Sequence, residues 1–460
     1  MEKLEKDAID LSTVNVFKLF RRYFVPTLLG MLSMSAVTAI DGICVGHGVG
    51  SDGIAAINIY VPLFTIATGL GLMIGAGCSV VASIHLARGK VKAARLNVTQ
   101  AMALATVATL LPTAVFMSFP RQTAIALGAS PHLLPLVVDY LLWFTPALVF
   151  QAWEAIALFV IRLDGSPKYA MACSVVTAVA NAVLDVIFIF PLGWGVMGAA
   201  FATAISLVMG GLMALVYLLF KARTLRLLRP KWSRRSLMYS LRNVGYQCRI
   251  GAPGLLGELT LAVLAFVGNL TFMRHLGDDG VGAFGIACYY TPFIFMVGNA
   301  IAQSAQPIIS FNFGLGQWGR IRETRRIAIG TAVAGGLVVA SAFVFAPEVL
   351  TGLFIKLDTP AARIAVDGFP YFAAAFVFYV VNITCIGYFQ SVERVRPATT
   401  LALLRGFVFL VPSFLLLPHA MGTAGIWLAL CLSELLTTAT IAVMFVTKRT
   451  DKLHRLSPRA

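Results

Sequence analysis

Residues 167–221 read PKYAMACSVVTAVANAVLDVIFIFPLGWGVMGAAFATAISLVMGGLMALVYLLFK, and this stretch decides the fold. It contains two apolar runs, 168–191 and 195–221, parted by a short Pro and Gly break, and its charged residues are Lys168, Asp185 and Lys221. A helix needs about 20 predominantly apolar residues to cross the hydrocarbon of a bilayer. Each run is long enough.

Working outward, the same pattern recurs from end to end. Helices are expected at 23–46, 54–87, 96–119, 133–161, 168–191, 195–221, 246–274, 281–312, 327–346, 363–391, 397–417 and 423–447. The composition agrees: 59% of residues are hydrophobic and 12% charged, with a mean hydropathy of +0.85, whereas soluble domains carry about 25% charged residues. The expected fold class is an all-α membrane protein of twelve transmembrane helices in two six-helix lobes, related by a pseudo-two-fold axis along the membrane normal.

The net charge of +16 raises the question of nucleic acid, and its placement answers it. Of 36 Lys and Arg, only Arg121, Arg274, Lys356 and Arg363 fall on the side opposite the N-terminus, which leaves 32 on the N-terminal side. Cytoplasmic loops of membrane proteins carry such an excess. No nucleic-acid partner is expected. The basic stretches Lys221 to Arg249 and Lys448 to Arg459 are expected to lie by anionic lipid headgroups. The expected location is the inner (plasma) membrane, multi-pass, with both termini cytoplasmic; Met1 to Arg22 lacks the apolar core and cleavage site of a signal peptide. Seven cysteines stand singly in or beside the spans and read as small buried hydrophobes, and the six histidines form no metal-ligand cluster.

A repeat organises the chain. At an offset near 227, Gly195-Val-Met-Gly198-Ala-Ala-Phe-Ala202 falls on Gly422-Thr-Ala-Gly425-Ile-Trp-Leu-Ala429, Gly89 on Gly316, and the Asp52-Gly53 turn on Asp279-Gly280. The expected organisation is a cytosolic segment 1–22, a first lobe 23–221, a basic cytoplasmic linker 222–245, a second lobe 246–447 and a basic cytosolic tail 448–460. Six helices per half make the repeats parallel, a plan that transporters use to rock two lobes about a central site. Asp41 maps onto Gly268 and Asp185 onto Pro412, so two embedded carboxylates belong to one copy alone.

Those carboxylates carry the chemistry. An ionised Asp at the bilayer centre costs about 2.5–3.5 kcal/mol on insertion scales, and embedded acids mark ion or substrate paths. Asn181 stands four residues before Asp185, one helical turn away on the same face. Thr203 adds a hydroxyl and Ala199 a backbone carbonyl from the next helix. Oxygen donors around two carboxylates suit a hard monovalent cation, Na⁺, or a shared proton. Glu258 is the candidate acid of the second lobe, whereas Glu154 and Glu434 read as paired or solvated groups. Tyr60, Phe64, Tyr289, Tyr290, Tyr371 and Phe376 are candidates for holding a flat cation in a substrate cavity.

Several motifs then resemble one family. Arg162-Leu-Asp-Gly165-Ser-Pro167-Lys168, Asn181-x3-Asp185, Gly195-x2-Gly198-Ala-Ala-x-Ala202-Thr203, Gln306-Pro307 through Asn312-Phe-Gly314, and Leu404-Arg405 with Pro412 together look like the signature of the MATE (multidrug and toxic compound extrusion) transporters. The resemblance covers nearly the whole chain. It implies an antiporter, not an enzyme, that exports small organic and typically cationic compounds in exchange for Na⁺ or H⁺, with Asp41, Asn181, Asp185 and Thr203 as the amino-lobe cation site. No other cofactor is implied, and a monomer is expected.

Two rival readings differ in what they require. A lipid-linked oligosaccharide flippase of the same superfamily needs basic residues inside its cavity for a polyanionic cargo, and the spans hold almost none. A membrane-embedded enzyme needs a nucleophile, acid-base or metal constellation. None is seen in the sequence.

Overall fold

In hydrocarbon a backbone must satisfy its own N–H and C=O groups, which leaves helices and closed barrels as the spanning structures. The computed structural model describes residues 10–228 and 234–446, and every regular element among them is helical. Residues 1–9, 229–233 and 447–460, the last including the expected basic tail, lie outside the described residues.

The first six membrane helices are α1 (Val16–Gly48), α2 (Ser51–Ala87), α3 (Val91–Ser118), α4 (134–163, with a 3-10 turn at Thr145–Ala147), α5 (Pro167–Ile189) and α6 (Gly195–Val216, continued by a π turn Tyr217–Lys221). The next six are α7 (234–276), α8 (278–315), α9 (Trp318–Phe345), α10 (360–391, bent by 48° between Pro360–Ala373 and Phe376–Ser391), α11 (395–421, with a π turn at Leu404–Val408) and α12 (423–446). Among the described residues nine helices are long and apolar enough to span, and the bent pair makes ten. Dividing two of them at Gly277 and Gly422 gives the twelve spans.

Those two glycines explain the division. Gly277 has φ 65° and Gly422 φ 59°, left-handed values that L side chains adopt only at a cost. They recur at the repeat offset: Gly50 (φ 90°) matches Gly277, Gly89 (φ 72°) matches Gly316 (φ 73°), and Gly195 (φ 55°) matches Gly422. The duplication is therefore written in the backbone as well as in the residues.

Several helices start earlier than their apolar runs. α1 begins at Val16 rather than 23, α7 at 234 rather than 246, and α9 at Trp318 rather than 327. Their first turns carry Lys18 and Arg21, or Arg320, Arg322 and Arg325, residues that form good helix in water but are invisible to a search for lipid-soluble segments. The 222–245 linker is accordingly shorter than expected, since helix resumes at 234.

By contact the described chain forms two compact units. The first holds the described residues up to Glu258 together with Gln303–Arg325 and Gln390–Glu393. The second holds Leu259–Ala302, Arg326–Phe389 and the described residues from Arg394 onward. In the first unit α5 packs on α1 and α6, and α4 on α2 and α6. Small residues permit close approach: a Cβ at Gly71 would lie 2.9 Å from Ala155, and one at Gly75 2.8 Å from Phe159. At the far end of α4 the buried Asp164 accepts hydrogen bonds from the Tyr217 hydroxyl and from the backbone N–H groups of Arg223, Thr224 and Leu225, at 2.8–2.9 Å. That carboxylate fastens the chain leaving α6.

The second unit is centred on aromatic rings. Phe272 stacks on Phe284 with centroids 4.6 Å apart, and Trp427 meets Phe272 edge-on at 4.7 Å. The same unit holds a buried ion pair, Arg405 Nε to Glu434 Oε1 at 2.6 Å. Asn382 Nδ2 donates to the other oxygen of Glu434 at 2.7 Å, and the Arg405 guanidinium lies over the Tyr379 ring at 4.0 Å.

Candidate functional site

α1, α5 and α6 meet in the first unit and carry the expected coupling residues. Asp41 is half-buried on α1; Asp185 and Asn181 are fully buried on α5. The Asp41 and Asp185 carboxyls are neighbours that interact side chain to side chain. Both Asp185 oxygens and Asp41 Oδ1 are buried without a hydrogen-bond partner among the described residues. Buried polar atoms are normally satisfied. These carboxyl oxygens are therefore the unsatisfied polar atoms of the site.

Asn181 Nδ2 donates to Thr203 Oγ1 at 3.1 Å, and that hydroxyl donates to the Ala199 carbonyl at 3.0 Å. The four residues from α5 and α6 thus form a ladder of oxygen donors against Asp41. No group of three or more His, Cys, Asp or Glu side chains among the described residues is arranged to hold a tightly bound metal. A weakly held monovalent ion needs no such cluster.

A cavity of about 130 Å³ opens against this ladder. Asp41, Asn181 and Thr203 line it on the polar side, Tyr60, Phe64, Tyr140 and Phe144 on the aromatic side. Tyr60 meets the Tyr140 and Phe144 rings edge-on at 5.1 and 4.8 Å. No Lys or Arg is among its lining residues. Tyr140, Phe144 and Thr177 are additions that sequence reasoning missed, because aromatics and threonines in apolar helices carry no mark of which face they present.

The remaining expected residues go elsewhere. Glu258 is buried in the first unit with Oε1 unpartnered, its Cβ facing Gly69 of α2. Tyr289, Tyr290, Tyr371 and Phe376 belong to the second unit, and the structure does not bring them to the cavity. Phe376 is fully buried against Phe343 and Phe372, and Tyr290 bonds the Leu350 carbonyl at 2.9 Å; both are packing residues. Tyr289 and Tyr371 are 55% and 46% exposed.

The matching positions of the second copy lack these oxygen-bearing side chains. Asp41, Asn181, Asp185 and Thr203 fall on Gly268, Val408, Pro412 and Leu430. A Cβ at Gly268 would lie 2.2 Å from the Phe284 ring, so the space that holds a carboxylate in the first unit is filled by an aromatic side chain in the second.

Comparison with known proteins agrees with this division. The profile of a family described as MatE matches residues 26–187 and again 253–415, two ranges that begin at the repeat offset. The multidrug export protein MepA of Staphylococcus aureus is 24% identical over 94% of each chain. Among solved structures, a MOP superfamily transporter from Pyrococcus furiosus, described as having a binding pocket of reverse polarity, has a TM-score of 0.88 at 20% identity, with 98% of this chain and 99% of that chain covered. A multidrug resistance MATE family transporter in an outward-facing conformation has a TM-score of 0.88 at 21% identity, covering 97% and 98%.

Proposed function

The chain belongs to the MatE family, and on that premise we propose that it exports small organic, typically cationic compounds in exchange for Na⁺ or H⁺ by alternating access. The observation that carries this reading is the Asp41–Asp185 pair, whose buried oxygens face each other and receive no hydrogen bond from a donor group among the described residues. Charged side chains in hydrocarbon are costly unless neutralised. A cation or proton bound there neutralises them, and it drives transport if it binds the outward- and inward-facing states with different affinity. Asn181, Thr203 and the Ala199 carbonyl tune which ion is held.

The cavity supports an organic cation as cargo. Its aromatic wall offers stacking and cation–π contact, each worth about 0.5–2 kcal/mol, opposite the acid of Asp41. A polyanionic lipid-linked sugar would meet a carboxylate and no basic group among the lining residues, which disfavours the flippase reading. The protein sits in the inner membrane with both termini cytoplasmic, as the distribution of Lys and Arg implies.

The test is dye export by proteoliposomes under Na⁺ and pH gradients imposed separately. Asp41→Asn and Asp185→Asn are expected to lower gradient-driven export about 5- to 150-fold, the usual range of a coupling free energy, with thermal melting unchanged. Full export by either variant would reduce the pair to a polar network and end this proposal.

A further inference from the structure

We propose that Glu154 is a second proton-holding station in the first unit, reached from the Asp41 cavity through the hydroxyl of Thr177. It rests on the proton branch of the coupling reading above.

Thr177, Asn181 and Asp185 stand at intervals of four on α5, one stripe of the helix. Thr177 lines the cavity together with Asp41 and Asn181. On its other side its hydroxyl donates to Glu154 Oε1 of α4 at 3.1 Å, sharing the hydrogen with the Cys173 carbonyl at 3.0 Å. Eight residues of helix separate Thr177 from Asp185, a step of about 12 Å along the axis. The step leads toward the end of α5 where Asp164 and Lys168 lie.

Glu154 is 4% exposed and forms no ion pair among the described residues. The contrast with Glu434, equally buried but bonded to Arg405 and Asn382, is direct. From the sequence both read as paired or solvated groups. The site is also cut to shape by a third helix: a Cβ at Gly210 of α6 would lie 2.1 Å from Thr177 Oγ1 and 2.5 Å from Glu154 Oε2. At the repeat offset Glu154 and Thr177 fall on Val381 and Leu404. Like the aspartate pair, this acid is confined to one copy.

The groups facing Glu154 leave the proton as its counter-charge. α5 presents Thr177 and the Cys173 thiol, and α6 presents Gly210. α2 and α3 direct their polar contacts, Thr68 and Thr106, to Gln151 and Trp153 instead. The transfer balances as a relay. The Thr177 Oγ–H bond breaks as its hydrogen passes to the Glu154 carboxylate, and Oγ takes a replacement proton from a water in the cavity, which has drawn one from the aspartate pair. One proton moves and Thr177 ends as it began. A cavity of about 130 Å³ has room for such waters at about 30 Å³ each.

The test uses full-length protein in vesicles, with the lipophilic cation ethidium as cargo and a trapped pH dye. Glu154→Gln is expected to lower pH-driven ethidium export and ethidium-elicited proton release at least about tenfold, while gradient-free ethidium counterflow stays within about twofold, since proton transfer is the step affected. Thr177→Val should lower pH-driven export and ethidium-elicited proton release alike, and Thr177→Ser should keep both near the parent; this pair decides the matter if Glu154→Gln does not fold. Undiminished pH-driven export by folded Glu154→Gln or by Thr177→Val overturns the station and, if Asp41→Asn is inactive, leaves the aspartate pair standing. Export driven by Na⁺ alone, with no proton release, also overturns it. A fully active Asp41→Asn beside an inactive Glu154→Gln would remove the parent reading and, with it, the relay from the aspartate pair.

Discussion

Arg405 and Asp185 solve the same problem in opposite ways. Both are charged groups set among apolar helices, and Arg405 is closed off by Glu434 at 2.6 Å and by the face of Tyr379. Removing one partner of a buried pair strands the other charge, at a cost of about 3–5 kcal/mol. Arg405→Ala should therefore melt far earlier than the parent, whereas Arg405→Leu combined with Glu434→Leu should recover most of the loss. A single variant that melts with the parent would show that the pair contributes little. The sequence made Asp41, Asp185, Asn181 and Thr203 legible because an acid in an apolar run has few explanations. It left the fates of Glu154 and Glu434 together, since the difference between them is the side chain that meets each one from another helix, Thr177 or Arg405. Tyr290 and Phe376 were unreadable for a related reason: an aromatic ring serves a core as well as a cavity.

At the scale of the element, the helices were located by their apolar runs, and their ends were not. The turn between α10 and α11 shows what decides an end. Glu393 there adopts φ 56°, unusual for a residue with a side chain, and left-handed backbone costs about 1–2 kcal/mol. Its carboxyl interacts with the Tyr246 hydroxyl and the charge of Arg88. An ordinary hydrogen bond nets about 0.5–1.5 kcal/mol, comparable with the strain of that turn. Burial is the larger influence on this carboxyl and raises it above the ordinary glutamate range, against the pull of Tyr246 and Arg88. A raised acid favours the folded turn most where it is protonated, so the turn should loosen as pH rises through the carboxylate range. Hydrogen exchange of residues 390–394 is expected to quicken with pH beyond the intrinsic chemical rate, and Glu393→Gln should remove that excess. Equal excess in both proteins would place its origin elsewhere.

For the whole molecule, orientation follows from the placement of charge. A thiol introduced by Ser233→Cys should react with an impermeant reagent in inside-out vesicles and stay protected in intact cells; labelling from outside would invert the topology. The two-copy plan was readable from glycines and short motifs, yet the compact units are not the two halves. The first unit is completed only by Gln303–Arg325 and Gln390–Glu393, contributed from far along the chain. A ribosome releases these pieces late, so the amino-terminal helices enter the membrane well before the segments that finish their packing exist. Completion of the first unit therefore has to wait until most of the second has been synthesised.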